Sequence, residues 1–431
     1  MKRILALLGA ALALWPVVAR SEPVIPAVDV IKVQGAIDPS LSSYLRGAVA
    51  DAERDHATVV LQVDSRGAFG DRGRALGRFL RGASVPVVAW VGPSGARAEG
   101  GALFLLYGSS LVSVAPGAGI GPARPFDLAT KASRESSAAV AAGARDLTDQ
   151  AGEAGVPASA IRRLVNGAAL PAGPAQAEGA ARVVAASVPD LLRKLDGKRV
   201  RAGRGGIVTL ATLNRNDRPV EVRFLEIGLF ARILHAVSTP TAVYVLLLLG
   251  LWGIAFELTQ PGIGMAGIAG ALALVLAGYG LSVVPVHWWG LGLLIVGMAA
   301  QGLDVLIKRV GVLTFGGTAA FLAGSLLAWG GVAPAVDLSP WLVILATLAG
   351  FLLFGFGMTV ALKARERVRT AQVGLVGLVG EVRSDLNPEG GVFVKGTLWR
   401  ARSMNGPIRA GTRIRVRGID GLILRVEEEP E

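Results

Sequence analysis

The chain has 431 residues, of which 52% are hydrophobic, and a mean hydropathy of +0.53, which exceeds that of soluble globular proteins and predicts that much of it lies in lipid. It contains no cysteine and three scattered histidines, which excludes disulfides, thiolate metal sites, a cysteine nucleophile and a Ser-His-Asp triad. The formal net charge of +12 is explained better by basic loops that orient membrane helices than by nucleic-acid binding, since no basic stripe interleaved with aromatic residues is present.

Residues 1–21 have the composition of a signal peptide. Lys2 and Arg3 precede an unbroken apolar run from Ile4 to Ala19, and cleavage after Ala19 or Ser21 fits the preference for small residues. A retained N-terminal anchor is the alternative interpretation. Both interpretations place the next segment outside the cytoplasm.

Residues 22–222 are predicted to form an α/β domain. Apolar runs such as Asp29–Val33 and Thr58–Val63 alternate with segments of helical periodicity, the first of which begins at Asp38 and Pro39. This βαβ order predicts a mostly parallel sheet with right-handed crossovers. The weak alternation at Val200–Val222 predicts a small hairpin.

Residues 223–240 are predicted to be a linker, formed either by a plain helix or by an amphipathic helix in the membrane interface. Five apolar stretches follow within residues 241–362, each near the roughly 20 residues that a bilayer requires. Their approximate bounds are Thr241–Leu258, Ile263–Val284, Trp288–Leu306, Gly311–Gly330 and Trp341–Leu362.

Basic residues mark two ends of these predicted spans. Lys308 and Arg309 follow the third span, and four lysines and arginines follow the fifth within residues 363–369, which predicts a cytoplasmic position for both segments. The sequence therefore predicts a multi-pass protein of the bacterial inner (plasma) membrane, with residues 22–222 in the periplasm and the C-terminal domain in the cytoplasm.

Residues 363–431 are predicted to form a basic linker and a small all-β barrel. The predicted strands are Leu375–Val382, Gly391–Leu398, Trp399–Met404, Arg413–Arg417 and Leu422–Val426. Its arginines alternate along the strands as on a solvated face, and only Phe393 and Trp399 offer aromatic surfaces. We therefore expect no nucleic-acid binding.

Functional groups in parallel α/β folds collect where strands end, and three loops at such positions resemble the signature loops of the NfeD family of ClpP-class membrane serine proteases. They are Val63–Ala68, Pro93–Ala98 and Ala115–Gly121. Three C-terminal segments, within Gly374–Val382, Gly396–Ala401 and Gly411–Val416, are similar to the OB-fold of the same family. The resemblance implies a crotonase/ClpP-like α/β domain, an OB-fold barrel and peptide hydrolysis by a Ser-Lys dyad without a cofactor or metal.

The dyad that the resemblance implies is not present at the matching positions. The nucleophilic serine of the family falls on Gly100, which has no hydroxyl group, and the general-base lysine falls on Glu135 or Ser136. Ser94 and Lys131 are a fallback pair, and Ser65 or Ser136 could also supply a hydroxyl. The backbone N–H groups of Gly67 and Ala68 match the oxyanion loop of the family.

The leading hypothesis is a catalytically inactive protease homologue that acts as a scaffold or adaptor in membrane protein quality control. The alternative is an active membrane-bound serine endopeptidase with a non-standard nucleophile, so the sequence leaves open whether the chain is an enzyme. The resemblance implies a stomatin-like membrane protein as partner, besides the lipid bilayer and a peptide in the vestigial groove. We also expect a homo-oligomer.

Overall fold

The computed structural model describes residues 27–430, except 131–134, 215, 260–263, 308–310, 331–337, 359 and 361–373. The predicted signal peptide, Lys131 and the basic turn at Lys308 and Arg309 lie outside the described residues.

The α/β domain contains eleven described strands and eight described helices. The strands are β1 (Ala27–Gln34), β2 (Thr58–Asp64), β3 (Val87–Val91), β4 (Arg97–Ala98), β5 (Leu111–Val114), β6 (Gly119–Ile120), β7 (Leu170–Pro171), β8 (Val183–Val184), β9 (Arg199–Ala202), β10 (Gly206–Thr209) and β11 (Glu221–Leu225). The helices are α1 (Pro39–Arg54), α2 (Arg72–Arg81), α3 (Ala102–Gly108), α4 (Ser137–Glu153), α5 (Ala158–Val165), α6 (Ala172–Ala177), α7 (Val188–Leu195) and α8 (Leu229–Val237).

The larger sheet has six strands in the order β11-β1-β2-β3-β5-β8, and every neighbouring pair is parallel. All five residues of β3 are buried, as expected for a strand that helices cover on both faces. The predicted start of α1 is confirmed, since Asp38 caps the helix by accepting a hydrogen bond from the N–H of Leu41 at 2.7 Å. A small sheet of β4, β6 and β7 lies beyond the carboxyl ends of the central strands.

The hairpin predicted within Val200–Val222 is present as the antiparallel pair β9–β10. The end of the predicted segment is not part of this hairpin. Glu221–Leu225 instead forms β11, which pairs in parallel with β1. Arg223 fastens this pairing, with Nε and Nη2 at 2.7 and 3.0 Å from the two carboxylate oxygens of Asp29 and Nη1 at 2.8 Å from Asp55. The large sheet therefore continues past residue 222.

Five helices are long and apolar enough to cross a membrane. They are α9 (Pro240–Thr259), α10 (Met265–Val283), α11 (Trp288–Leu306), α12 (Val312–Trp329) and α13 (Pro340–Leu352), the last continued by a π-helical turn at Leu353–Met358. Helices α11 and α12 approach closely at glycines, since a Cβ atom on Gly297 would lie 2.6 Å from the carbonyl oxygen of Gly317. Asp304 at the end of α11 accepts hydrogen bonds from the N–H groups of Gly311 and Thr314. It thereby provides acceptors for N–H groups at the start of α12 that have no partner within the helix.

The C-terminal residues form a closed barrel in the order β12-β13-β14-β16-β15. The strands are β12 (Val379–Val382), β13 (Glu389–Val394), β14 (Thr397–Ser403), β15 (Arg413–Asp420) and β16 (Ile423–Glu428). The break predicted between Leu398 and Trp399 is wrong, because the hairpin turns at Lys395 and Gly396, whose φ angles are 49° and 81°. Two successive positive φ angles define the tight turn that joins twisted strands, and glycine favours it.

Candidate functional site

The three loops that resemble the family signature come together at the carboxyl ends of β2, β3 and β5. The N–H of Ser65 donates to the carbonyl oxygen of Arg97 at 2.7 Å, and the N–H of Glu99 donates to that of Ser65 at 2.9 Å. The pairing of β4 with β6 connects Arg97 to Gly119 in the third loop. The predicted juxtaposition of the loops is thus present in the fold, and it forms a groove.

Gly100, at the position matched to the family nucleophile, lies immediately before α3. Its φ angle is +54°, a left-handed conformation that side chains with a Cβ atom rarely adopt. A Cβ atom built on this residue would lie 2.5 Å from the carbonyl oxygen of Pro125. Backbone from another loop therefore occupies the space that a serine side chain would need.

Glu135, at the position matched to the general base, is only 6% exposed at its side chain. Its Oε2 accepts a hydrogen bond from Nε of Arg124 at 2.8 Å, and its Oε1 accepts one from the N–H of Phe126 at 2.9 Å. These two bonds bracket Pro125. The residue that stands in place of a base thus holds backbone over Gly100.

The same loop covers the segment matched to the oxyanion loop. The N–H of Leu128 donates to the carbonyl oxygen of Ala68 at 2.9 Å, and a Cβ atom on Gly67 would lie 2.9 Å from Cγ of Leu128. We refer to Pro125–Leu128 as the covering segment. It lies over both the nucleophile position and the oxyanion loop, which is an arrangement that the sequence analysis did not anticipate.

The alternative hydroxyl groups have separate environments. Ser65 is buried, and its Oγ donates to the carbonyl oxygen of Gly67 at 3.1 Å. Ser136 caps α4 by accepting from the N–H of Ala139 at 3.2 Å, whereas Ser94 is exposed in the second loop. Within the described part of the chain, none of these hydroxyls is hydrogen-bonded to a lysine or a histidine. The fallback base Lys131 lies outside that part.

A cavity of about 700 Å³ opens at the groove, and charged residues from two of the loops line it. Asp64 and Arg66 come from the first loop, Arg97 comes from the second, and Glu99 directly follows the second loop. Burial raises the pKa of Glu99, while the charges of Arg66 and Arg97 oppose that rise. Sequence reasoning missed these four residues, although each of the two chain segments carries an acidic and a basic residue two positions apart, a signal that could have indicated them.

Residues Ser238, Thr239, Pro240 and Thr241 also line this cavity, so that it reaches the start of the first apolar helix. Among the described residues there is no cluster of three or more histidines, cysteines or carboxylates that could hold a metal ion.

The fold defines a multi-pass membrane protein that carries a parallel α/β domain with a groove at its strand ends and a C-terminal β-barrel. Residues 241–360 match the NfeD integral membrane domain, and residues 373–428 match the NfeD-like C-terminal, partner-binding domain. The membrane helices and the barrel are therefore NfeD-type domains. The predicted parallel α/β domain, five apolar helices and closed five-stranded barrel are confirmed.

The chain is similar to characterised proteins along most of its length. It is 29% identical over 417 residues to a membrane-bound protease of Pyrococcus horikoshii, covering 93% of each chain. A solved membrane protease specific for a stomatin homolog from Pyrococcus horikoshii is 23% identical, with a TM-score of 0.42, over 49% of this chain and 98% of that one. The C-terminal domain of a stomatin operon partner protein from the same organism is 47% identical, with a TM-score of 0.14, over 14% of this chain and 94% of that one.

Proposed function

We propose that this protein is a catalytically inactive NfeD-family member whose protease-like domain binds without cutting. One observation carries the proposal: Gly100 has no hydroxyl, and the carbonyl oxygen of Pro125 occupies the space where one would project. Acyl transfer requires a nucleophile and a base in mutual contact. At the matched positions the chain has a glycine and a carboxylate, Glu135, that is engaged with Arg124 and Phe126.

We further propose that the chain is a scaffold or adaptor whose barrel binds a stomatin-like membrane protein in membrane protein quality control. The family description of residues 373–428 as a partner-binding domain supports a role in assembly. The 47% sequence identity to a domain named as a stomatin operon partner supports the partner class. Assembly as a homo-oligomer, with a peptide segment in the groove, belongs to the same proposal.

The proposed location is the bacterial inner membrane, with a cleaved signal peptide, residues 22–222 in the periplasm and residues 363–431 in the cytoplasm. The excess of Lys and Arg after the third and fifth apolar helices supports this orientation.

The alternative function is that of an active serine endopeptidase with a non-standard nucleophile. The 29% identity to a membrane-bound protease over 93% of the chain favours it, and the exposed Ser94 of the second loop is the hydroxyl that it would use.

The two functions are distinguished with the full chain in lipid nanodiscs. We expect no labelling by a fluorophosphonate probe and no cleavage of casein or of hydrophobic peptides. Labelling or turnover that Ser94→Ala abolishes would establish the endopeptidase instead.

The adaptor role is tested by co-expression with a stomatin-like membrane protein and purification in detergent. We expect co-purification with the full chain and its loss when residues 374–430 are deleted. Co-purification that is unchanged by this deletion would contradict the proposed role of the barrel.

A further inference from the structure

Helix α8 presents an apolar face that no described part of the α/β domain covers. Leu229 is 73% exposed, Phe230 is 75% exposed and Ile233 is 41% exposed. Their spacing places them on one side of the helix. We refer to these three residues as the α8 apolar face.

The opposite side of α8 is attached to the domain by hydrogen bonds. The carbonyl oxygen of Ala231 accepts from Oγ of Ser40 at 2.8 Å. The ring of His235 lies with Nδ1 2.6 Å from a carboxylate oxygen of Asp38 and with Nε2 3.0 Å from the carbonyl oxygen of Gln34. Because these contacts fix the rotation of the helix, the α8 apolar face points away from the domain.

We infer that the α8 apolar face lies in the surface of the lipid bilayer and holds the α/β domain against the membrane. Continuity with the membrane region identifies the occupant: α8 ends at Val237 and the first apolar helix begins at Pro240. A face so close to the start of a span meets lipid headgroups and upper acyl chains. The polar pair Arg232–Glu226, at 2.8 Å and exposed, gives the helix the polar flank that interfacial helices have.

The attachment has a consequence for the groove. Ser238–Thr241 join α8 to the first apolar helix and also line the cavity beside Arg66 and Arg97. The cavity therefore opens at the membrane surface, where it is accessible to a segment that emerges from the bilayer. This placement does not depend on whether the site is catalytic.

The absence of cysteine from the sequence allows single-cysteine labelling of the full chain. The test places an environment-sensitive nitrobenzoxadiazole dye at Phe230→Cys, in nanodiscs of phosphatidylcholine and phosphatidylglycerol with and without doxyl-labelled lipid. We expect blue-shifted emission at this position, of which doxyl lipid quenches roughly half or more, since interfacial helices are buried to the headgroup and acyl boundary.

The matched control is Arg54→Cys, an exposed position at the end of α1 opposite to Asp38, where we expect water-like emission without quenching. Water-like, unquenched emission from the dye on the Phe230→Cys variant would overturn the inference. So would thiol crosslinking of two copies of this variant without lipid quenching, because the α8 apolar face would then be a protein interface.

Discussion

The carbonyl oxygen of Pro125 lies 2.5 Å from the position that a Cβ atom on Gly100 would occupy. This contact makes glycine necessary at residue 100 for two separate reasons, the left-handed φ angle and the lack of space. Backbone of the covering segment thus fills the space into which a side chain at residue 100 would project. A single substitution that adds a hydroxyl at this residue therefore also requires the covering segment to move.

Gly100→Ser is expected to leave the protein inactive. The new Cβ atom would meet the carbonyl oxygen of Pro125, so the side chain fits only if the covering segment moves. The measurement is fluorophosphonate labelling of the full chain. Labelling of the variant, but not of the unmodified protein, would contradict this expectation and show that the covering segment moves to accommodate the serine.

The stability cost of that contact is isolated by comparing Gly100→Ala with Gly95→Ala. Both glycines have positive φ, at 54° and 89°, but a Cβ atom on Gly95 meets nothing within 4 Å. We expect Gly100→Ala to be less stable than Gly95→Ala by about 1–3 kcal/mol, the usual cost of forcing an atom into packed surroundings. Thermal unfolding of the full chain in detergent measures the difference, and equal melting temperatures would contradict it.

Glu135→Ala is expected to destabilise the α/β domain by about 1–3 kcal/mol, because it leaves the N–H of Phe126 and the guanidinium of Arg124 without this acceptor. Glu135→Lys should destabilise the domain more than Glu135→Ala does, since it places a second positive charge near Arg124. Glu153→Ala is the control, as it removes an exposed partner of Arg81 and should cost below about 1 kcal/mol. Melting temperatures rank the three, and a Glu135→Lys variant as stable as the unmodified chain would refute the role given to this residue.

The attachment of α8 should depend on pH. The hydrogen bond to Asp38 raises the pKa of His235, and burial of the ring opposes this rise. The negative charge of Asp38 and the hydrogen bond to the carbonyl oxygen of Gln34 also raise the pKa. Because the pKa is higher in the folded state, protonated His235 stabilises the fold fully at pH values below its unfolded-state pKa of about 6.5. This stabilisation is lost as the pH rises through the folded-state pKa.

We therefore expect His235→Gln to lower the melting temperature of the full chain more at about pH 6, below the unfolded-state pKa, than at about pH 9. The exposed His56 provides the control substitution His56→Gln, which should show no such difference. An equal effect of His235→Gln at both pH values would argue that the contact is only steric.

Packing between α11 and α12 predicts a strong contrast between two glycines of α11. A Cβ atom on Gly297 would meet backbone of Gly317 and Phe321, whereas one on Gly292 meets nothing within 4 Å. Gly297→Ala should therefore lower the melting temperature and the yield of folded protein, and Gly292→Ala should not. Similar behaviour of both variants in detergent would mean that these helices do not pack at Gly297.

Local patterns were sufficient to predict the elements that carry their own signal. The helix after Asp38 and the apolar runs that became β1 and β2 follow from capping and periodicity, and the five apolar helices follow from length and hydropathy. By contrast, β11 was missed because five residues with little alternation become a strand only by pairing with β1, which lies far away in the sequence.

The candidate site was predictable in part for the same reason. The loops and the identities at positions 100 and 135 could be located from motif spacing. The position of the covering segment could not be predicted, because it depends on bonds that Glu135 makes to Arg124 and Phe126, and no sequence pattern predicts which groups a given carboxylate will bind.

The strand order of the large sheet limits when the α/β domain can be completed during synthesis. β1 is made first, and β11, its neighbour at the edge, is made last and ends at Leu225, shortly before the first apolar helix begins at Pro240. The hydrogen bonds of the Arg223 guanidinium to Asp29 and Asp55 then connect β11, the last strand to be synthesised, to β1, the first. The large sheet can therefore be complete only after the chain has been synthesised as far as Leu225, shortly before the first apolar helix is made.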